Sequence, residues 1–236
     1  MSVYAPPPVD AASPPGAAAP SSERNPIVLI ASGEMGWRRF DHLISSMLAG
    51  EGYWVGGIDA MRYFWEPQDD RQALASDLRA YAAALAQAAG RAPEAPLILG
   101  GFSFGADLAP FVAGTKGWGN QVRGLLMIGP DATGSLQFRL SEMIGFQPKE
   151  HTFQVAEALE GAAGTAVLFI HGEKDRTSAA LQLLGHASEP KRLITVPGAG
   201  HHFSGQEERL RAALREGMEW LLHEGAPKAG SRRRVP

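Results

Sequence analysis

The sequence predicts an α/β protein, a three-layer α/β/α sandwich built on a mostly parallel sheet. Short segments that are apolar along their whole length alternate with longer amphipathic segments. Wholly apolar strands indicate a sheet that is covered on both faces, and right-handed crossovers place the helices in layers on either side of it. At 236 residues, of which 44% are hydrophobic and 20% charged, the chain is long enough for one full-sized domain.

The predicted elements follow this alternation in order. Six short apolar segments are predicted as buried strands, at 26–31, 53–58, 97–102, 122–128, 166–170 and 193–196. Four segments carry apolar residues at helical spacing, at 37–50, 72–89, 103–113 and 206–222. Ligands of such sheets bind at the carboxyl ends of the strands, so we expect the functional residues directly after strands.

Three segments fall outside this pattern. Residues 1–25 are rich in Pro, Ala and Ser, and residues 226–236 are similarly poor in core-forming side chains. Both are predicted to be disordered, which leaves an α/β domain over 26–225. The segment 132–150 is too polar and irregular for another core unit, and we predict a small cap insertion there.

Composition excludes several classes of function. A net charge of −3 gives no electrostatic drive toward nucleic acid. The absence of cysteine excludes a thiol nucleophile and thiolate metal sites, and it suits an oxidising compartment. No apolar run reaches the roughly 18 to 20 residues of a transmembrane helix, and the first residues lack a signal-peptide pattern.

A candidate nucleophile lies between the third predicted strand and the following helix. Residues 101–105 read G-F-S-F-G, which matches the G-x-S-x-G pattern. In this context the pattern indicates a strained turn that exposes the hydroxyl of Ser103 at a helix N-terminus. The alternative is an ordinary strand-to-helix turn with a capping serine.

A candidate acid and a candidate base follow later strands. Asp175 comes after the strand near 166–170, and Glu173 in the same turn is the alternative acid. His201 follows the last strand in a glycine-rich loop, with His202 as the alternative base. The order Ser, acid, His is that of a nucleophilic triad, in which His201 takes the Ser103 proton and Asp175 stabilises the imidazolium. No H-E-x-x-H pattern accompanies the histidine pair, so we expect neither a metal nor a cofactor.

The same chemistry requires donors for a tetrahedral oxyanion. We expect the backbone N–H of Phe104 to supply one of them. The glycine-rich loop after the first strand, residues 32–36, supplies the second, and we favour the N–H of Glu34.

Four stretches together resemble the VirJ/AcvB family of bacterial virulence-associated α/β hydrolases. They are S-G-E-M-G-W (32–37), R-Y-F-W (62–65), G-F-S-F-G-A-D (101–107) and P-G-A-G-H-H-F (197–203), and the resemblance covers about residues 27–223. In the first loop the family usually has Asp-Gly where this chain has Glu34-Met35. The resemblance implies an α/β-hydrolase fold with a small cap insertion.

The resemblance also implies a function and a place. It implies an esterase that acts in the periplasm on the aminoacyl ester of lysyl- or alanyl-phosphatidylglycerol. The substrate class suits a peripheral membrane contact, and the net charge already argues against a nucleic-acid partner. A carboxylesterase for small soluble esters and a non-catalytic secretion-associated binding protein remain the alternatives.

Several side chains are expected at the substrate. Arg62 follows a strand end and is suited to a phosphodiester, although a surface ion pair with Asp59 or Glu66 explains it equally well. Met35, Trp37 and His202 are expected to line the pocket.

Apolar residues of the cap segment suit either an apolar lip at the bilayer or the core of the cap; they are Phe138, Leu140, Met143, Ile144 and Phe146. Asp107 is expected to brace the site loops or the R-Y-F-W segment.

Overall fold

The structure, a computed structural model, describes residues 1–7, 25–138 and 150–225. Its strands are β1 (Ser2–Tyr4), β2 (Ile27–Ala31), β3 (Val55–Ile58), β4 (Leu97–Phe102), β5 (Val122–Ile128), β6 (Thr133–Ser135), β7 (Thr152–Gln154), β8 (Ala166–Gly172) and β9 (Lys191–Val196). Its helices are α1 (Arg39–Gly50), α2 (Ala60–Tyr63), α3 (Arg71–Ala88), α4 (Phe104–Ala113), α5 (Val155–Gly161), α6 (Ala180–Leu183) and α7 (Glu207–Glu224).

Seven of these strands form one sheet in the order β1-β3-β2-β4-β5-β8-β9. Strand β1 runs antiparallel to β3, and the other neighbouring strands are parallel. The predicted mostly parallel α/β sheet is therefore confirmed.

The sheet is covered on both faces because alternate strand residues point to opposite sides. Leu99 and Met127 pack with α3 and α4 in one hydrophobic cluster. Ile98 and Leu126, their neighbours in sequence, pack with α1 and α7 in a second cluster. This division produces the three layers that the wholly apolar strands predicted.

The N-terminal segment differs from its prediction. Disorder was predicted for residues 1–25, and this is wrong for the first residues, because β1 pairs with β3 from Ser2↔Gly57 to Tyr4↔Val55. A strand this short is held by backbone pairing and by one side chain, since the Tyr4 hydroxyl accepts a hydrogen bond from Trp37 Nε1 at 3.0 Å. Residues 8–24 and 226–236 lie outside the described residues.

The two ends of the predicted cap segment are described. Strand β6 pairs antiparallel with β7, a two-stranded sheet separate from the main one. Phe138 is buried, donates its backbone N–H to Phe64 O at 2.6 Å and stacks on Trp65 with ring centroids 5.8 Å apart. Phe138 thus packs against the R-Y-F-W segment as core. The other four apolar residues of this segment lie outside the described residues; they are Leu140, Met143, Ile144 and Phe146.

Along the described ranges, no helix combines the length and the apolar character needed to span a bilayer.

Candidate active site

Ser103 stands at the turn between β4 and α4 in a strained backbone conformation. Its φ of 51° and ψ of −124° lie in a region that residues other than glycine rarely adopt. Its N–H donates to Ile128 O at 2.9 Å, which holds the turn against β5. The serine is 3% exposed. Strain at a strand-to-helix turn is the conformation that G-x-S-x-G predicts for a nucleophile.

The two glycines of the motif allow the turn to pack closely. A Cβ at Gly101 would lie 2.2 Å from the carbonyl carbon of Gly105. A Cβ at Gly105 would lie 2.1 Å from the backbone oxygen of Ala31. Neither distance is tolerated by a real side chain, so both positions require glycine for α4 to approach β2 and β4.

Asp175 and His201 form a hydrogen-bonded pair. His201 Nδ1 lies 2.8 Å from Asp175 Oδ2, and the carboxylate side chain is fully buried. The other oxygen, Oδ1, accepts from the Thr177 hydroxyl at 2.7 Å, from Thr177 N at 3.0 Å and from Ser178 N at 3.1 Å. Burial alone would raise the pKa of Asp175, but the hydrogen bonds from His201 and Thr177 outweigh it and hold this pKa below its usual value.

This pairing leaves the second ring nitrogen of His201 free to act as a base. A carboxylate at Nδ1 favours the tautomer with the proton on that nitrogen, so Nε2 carries the lone pair. The ring lies beside the serine turn, with its centroid 4.8 Å from that of Phe102. Its Cε1 would lie 3.2 Å from a Cβ at Gly129, directly after β5.

The alternative acid and the alternative base lie elsewhere. Glu173 accepts a hydrogen bond from Gly198 N at 2.7 Å and so braces the histidine loop. His202 stands among aromatic rings, 5.4 Å from Phe102 and 6.2 Å from Phe40 between centroids. Burial lowers the pKa of His202. Of the two histidines, His201 is the one bonded to Asp175.

The Ser103 hydroxyl donates to a residue that the sequence did not single out as a side-chain partner. It lies 3.3 Å from Oε2 of Glu34. Among the hydrogen bonds between described residues, none joins Ser103 to His201. The structure therefore shows the acid–base pair assembled and the hydroxyl turned toward the first loop.

The two residues whose backbone N–H groups are expected at the oxyanion both lie near Ser103: Phe104 follows it in the chain, and the Glu34 side chain contacts it. Phe104 is the first residue of α4, where a backbone N–H has no intrahelical partner. Glu34 is the second residue of a turn closed by a hydrogen bond from Gly36 N to Gly33 O at 3.0 Å. This turn presents the Glu34 carboxylate to Ser103, while the role of the Glu34 N–H at the oxyanion stays a prediction.

Two further carboxyl groups lie close to the pair. Asp107, on α4, is 1% exposed and accepts the Asp131 N–H at 2.9 Å, so it braces the loop after β5. Burial raises the pKa of Asp107 well above its usual range. Burial also raises the pKa of Asp131 to about 6; the charge of His201 opposes this rise, and those of Glu34 and Asp175 add to it.

A cavity of about 550 Å³ adjoins Glu34. Met35 and His202, two of the residues expected at the substrate, line it together with Phe40 and Phe102, whereas Ser103 and His201 are not among its lining residues. Arg38, Arg39 and Asp41 also line it. No sequence pattern indicates a role for these three residues, because they stand at the start of a helix that was predicted from its apolar spacing alone.

The other two expected substrate contacts lie elsewhere. Trp37 and Arg62 line a second cavity, next to β1 and β3, that does not include Glu34 or His202. Trp37 packs over Gly57 and bonds to Tyr4. The Arg62 side chain takes part in none of the ion pairs found among the described residues, so the structure does not show the surface pair with Asp59 or Glu66.

In the part of the chain that the structure describes, no group of three His, Cys, Asp or Glu residues is arranged to hold a metal ion.

Comparison with solved structures places the fold. The chain is similar to the esterase domain of a Rhodothermus marinus protein (TM-score 0.60, 17% identity, 93% of this chain and 91% of that one covered). It is also similar to a putative dienelactone hydrolase from Klebsiella pneumoniae (TM-score 0.60, 17% identity, 85% of this chain and 88% of that one covered). A soluble variant of monoglyceride lipase from Saccharomyces cerevisiae is similar as well (TM-score 0.58, 13% identity, 94% of this chain and 90% of that one covered). At these identities the likeness shows the α/β-hydrolase fold.

Comparison of the sequence gives the family. No curated protein sequence matches the chain. The family model of bacterial virulence protein (VirJ) matches residues 25–221. This match confirms the resemblance drawn from the four motifs, and the chain belongs to the VirJ family.

Proposed function

We propose that the protein is a serine esterase in which Ser103 is the nucleophile, His201 the general base and Asp175 the acid that orients it. The observation that carries the proposal is the 2.8 Å pair between His201 Nδ1 and the buried Asp175, beside a serine in the strained turn of G-x-S-x-G. The hydrolase class is further supported by the fold, since the similar structures include proteins named as esterase, dienelactone hydrolase and lipase.

The reaction starts when the Ser103 hydroxyl leaves Glu34 and turns toward His201. His201 Nε2 takes the proton as Oγ attacks the ester carbonyl, and Asp175 stabilises the imidazolium that forms. The N–H groups of Phe104 and Glu34 receive the oxyanion. The bond from the carbonyl carbon to the leaving oxygen then breaks, and His201 returns its proton to the leaving alcohol. Water, deprotonated by the same histidine, then attacks the carbonyl carbon of the acyl-enzyme. The bond to Ser103 Oγ breaks, His201 returns the proton to Oγ, and the carboxylic acid leaves.

The proposed substrate is the aminoacyl ester of lysyl- or alanyl-phosphatidylglycerol, as expected for a member of this family. The acyl group of such an ester carries an ammonium. Two carboxyl groups lie near the reacting residues: Glu34 Oε2 is 3.3 Å from Ser103 Oγ, and Asp131 is close enough to His201 to interact with its charge. The headgroup carries a phosphodiester. Arg38 and Arg39 line the cavity next to Glu34 and are better placed for that anion than Arg62.

The test uses lysyl-phosphatidylglycerol in phosphatidylglycerol vesicles, with release of lysine measured by chromatography. We expect release by the unaltered protein, and a loss of at least about a thousandfold in Ser103→Ala, because removal of the nucleophile of a triad leaves only residual catalysis. Circular dichroism shows whether the variant keeps its fold. Full lipid hydrolysis by Ser103→Ala would overturn the assignment of the nucleophile.

Two further assays on the unaltered protein test the two alternative functions. Turnover of short p-nitrophenyl esters without turnover of the lipid indicates a carboxylesterase for small soluble esters. A fluorophosphonate probe labels only an activated serine hydroxyl, so absence of labelling at Ser103 indicates a binding protein whose triad has lost its activity.

We also propose a periplasmic location with a peripheral contact to the membrane surface, which rests on the family and on the substrate class. Fractionation of cells that produce the natural protein tests the location. Co-sedimentation with phosphatidylglycerol vesicles tests the contact, and recovery of the protein in the supernatant at low salt speaks against it.

A further inference from the structure

The hydrogen bond from Ser103 to Glu34 has a consequence for the choice of substrate. A hydroxyl that donates to a carboxylate oxygen at 3.3 Å does not donate to His201 at the same time. The serine must leave Glu34 before His201 can deprotonate it. A substrate that occupies the Glu34 carboxylate therefore favours the reactive orientation of the nucleophile.

The backbone turn that carries Glu34 is itself held in a defined position. The turn from Gly33 to Gly36 is closed by its own hydrogen bond, and Gly36 has a φ of +74°. A Cβ at Gly36 would lie 2.9 Å from Asp59 Oδ1, so the turn sits directly against the start of α2. Glu34 is partly buried, which strengthens its interaction with a charge in the cavity.

A second carboxylate lines the same cavity with an unused acceptor. Asp41 is 2% exposed, and its Oδ2 accepts from Arg38 N at 2.8 Å. Its Oδ1 is buried and has no hydrogen-bond partner among the described residues. A buried oxygen without a donor is costly, and a donor supplied by a ligand of the cavity removes that cost.

We infer that Glu34 determines specificity: its carboxylate pairs with the α-ammonium of an aminoacyl ester, and this pairing releases the Ser103 hydroxyl to His201. The inference rests on the proposed esterase function. The substrate ammonium donates to Glu34 in place of the serine. The ammonium nitrogen and the ester carbonyl carbon are both bonded to the α-carbon, so the carbonyl then lies next to Ser103 Oγ. A neutral acyl group has no charge to pair with Glu34, so the hydrogen bond between Glu34 and Ser103 stays in place. The site thereby prefers aminoacyl esters to acyl esters of the same shape.

The experiment compares two esters that differ only in the ammonium, alanine ethyl ester and ethyl propionate, by pH-stat titration at pH 7. For the unaltered protein we expect a higher kcat/KM with the alanine ester. In Glu34→Gln we expect the ratio of the two kcat/KM values to fall at least tenfold, because only the alanine ester loses an ion pair. Glu34→Asp keeps the charge and is expected to keep most of the preference.

Glu94→Gln is the matched control, because it removes one exposed carboxylate from the loop before β4, at the amino ends of the strands and so opposite to Ser103. Its ratio is expected to equal that of the unaltered protein. An unchanged ratio in Glu34→Gln, or an equal fall for both esters, overturns the role of Glu34. Failure of the unaltered protein to hydrolyse either ester or the lipid, or to react with fluorophosphonate, overturns the esterase function itself.

Discussion

Among single residues, Asp131 combines partial burial with several charged neighbours. The charges of Glu34 and Asp175 disfavour its ionisation, and that of His201 favours it. Its pKa is raised to about 6. Such a value at a candidate active site means that the local charge changes within the range in which an esterase works.

The stability of the protein is expected to depend on this group. In the unfolded chain Asp131 ionises near its ordinary pKa of 3.8, whereas in the fold it keeps its proton up to about pH 6. Its contribution to stability is thus present below pH 4 and is lost as pH rises through 6, a loss of at most about 3 kcal/mol. Asp131→Asn removes the titration, so its unfolding free energy should exceed that of the unaltered protein more at pH 7 than at pH 4.

Urea unfolding at the two pH values measures this difference, and Glu94→Gln again serves as a control with an exposed carboxylate. Parallel pH profiles for Asp131→Asn and the unaltered protein would contradict the assigned pKa. Thermal denaturation at the same pH values provides an independent measure.

The sequence could predict some of these residues and not others. Ser103, Asp175 and His201 each follow a strand in a recognisable local pattern, so their proximity follows from the parallel sheet. The contact of the Glu34 side chain with Ser103 joins residues 69 positions apart, and its geometry depends on how the first turn leans over β4. The pKa of Asp131 depends on its burial and on three charged side chains from other loops, which no local pattern records.

At the scale of elements, the approach of α4 to β2 determines where Ser103 stands. The helix follows the nucleophile directly and can pack this closely only because Gly105 has no side chain. Gly105→Ala is expected to destabilise the fold by at least about 2 kcal/mol, since the clash is with backbone that cannot move aside. It should also slow fluorophosphonate labelling of Ser103 under native conditions, because the turn must shift.

Gly50→Ala is the matched control. Gly50 is the last residue of α1, is exposed, and has no heavy atom within 4 Å of a Cβ built on it. Alanine there is expected to raise the unfolding free energy by roughly 0.5 kcal/mol, since it restricts the unfolded chain and suits a helix. If Gly105→Ala were as stable as Gly50→Ala, the close packing of α4 would be wrong.

The helices and strands that could be predicted from the sequence contain enough apolar residues to show a regular spacing. Strands β4 and β5 agree with their predicted bounds because both are buried along most of their length. Strand β1 and the pair β6–β7 have three residues each and are largely polar or exposed. Their pairing comes from backbone hydrogen bonds with distant segments, which leave no periodic signal in the sequence.

At the scale of the whole molecule, the sheet order separates the candidate site from the N-terminal edge. Ser103 follows β4, Asp175 follows β8 and His201 follows β9, whereas β1 lies three strands from β4 across β3 and β2. The cavity lined by Trp37 and Arg62 stands on the β1 side, with Met1 and Ser2 in its wall. Removal of β1 is therefore expected to lower the stability of this edge of the sheet without slowing catalysis.

A variant that begins at Asn25 tests this separation. It lacks β1, so Trp37 Nε1 loses the Tyr4 hydroxyl and β3 becomes the edge of the sheet. We expect the unfolding free energy to fall by about 1–2 kcal/mol, as for the loss of a hydrogen bond and a short strand pairing. We also expect tryptophan fluorescence to shift to the red as Trp37 becomes more exposed. The kcat/KM for lysyl-phosphatidylglycerol should stay within about twofold, since no group that we assign to the reaction touches β1. A large loss of lipid turnover in a variant that remains folded would instead place the lipid headgroup at Trp37 and Arg62, the contacts first expected from the sequence.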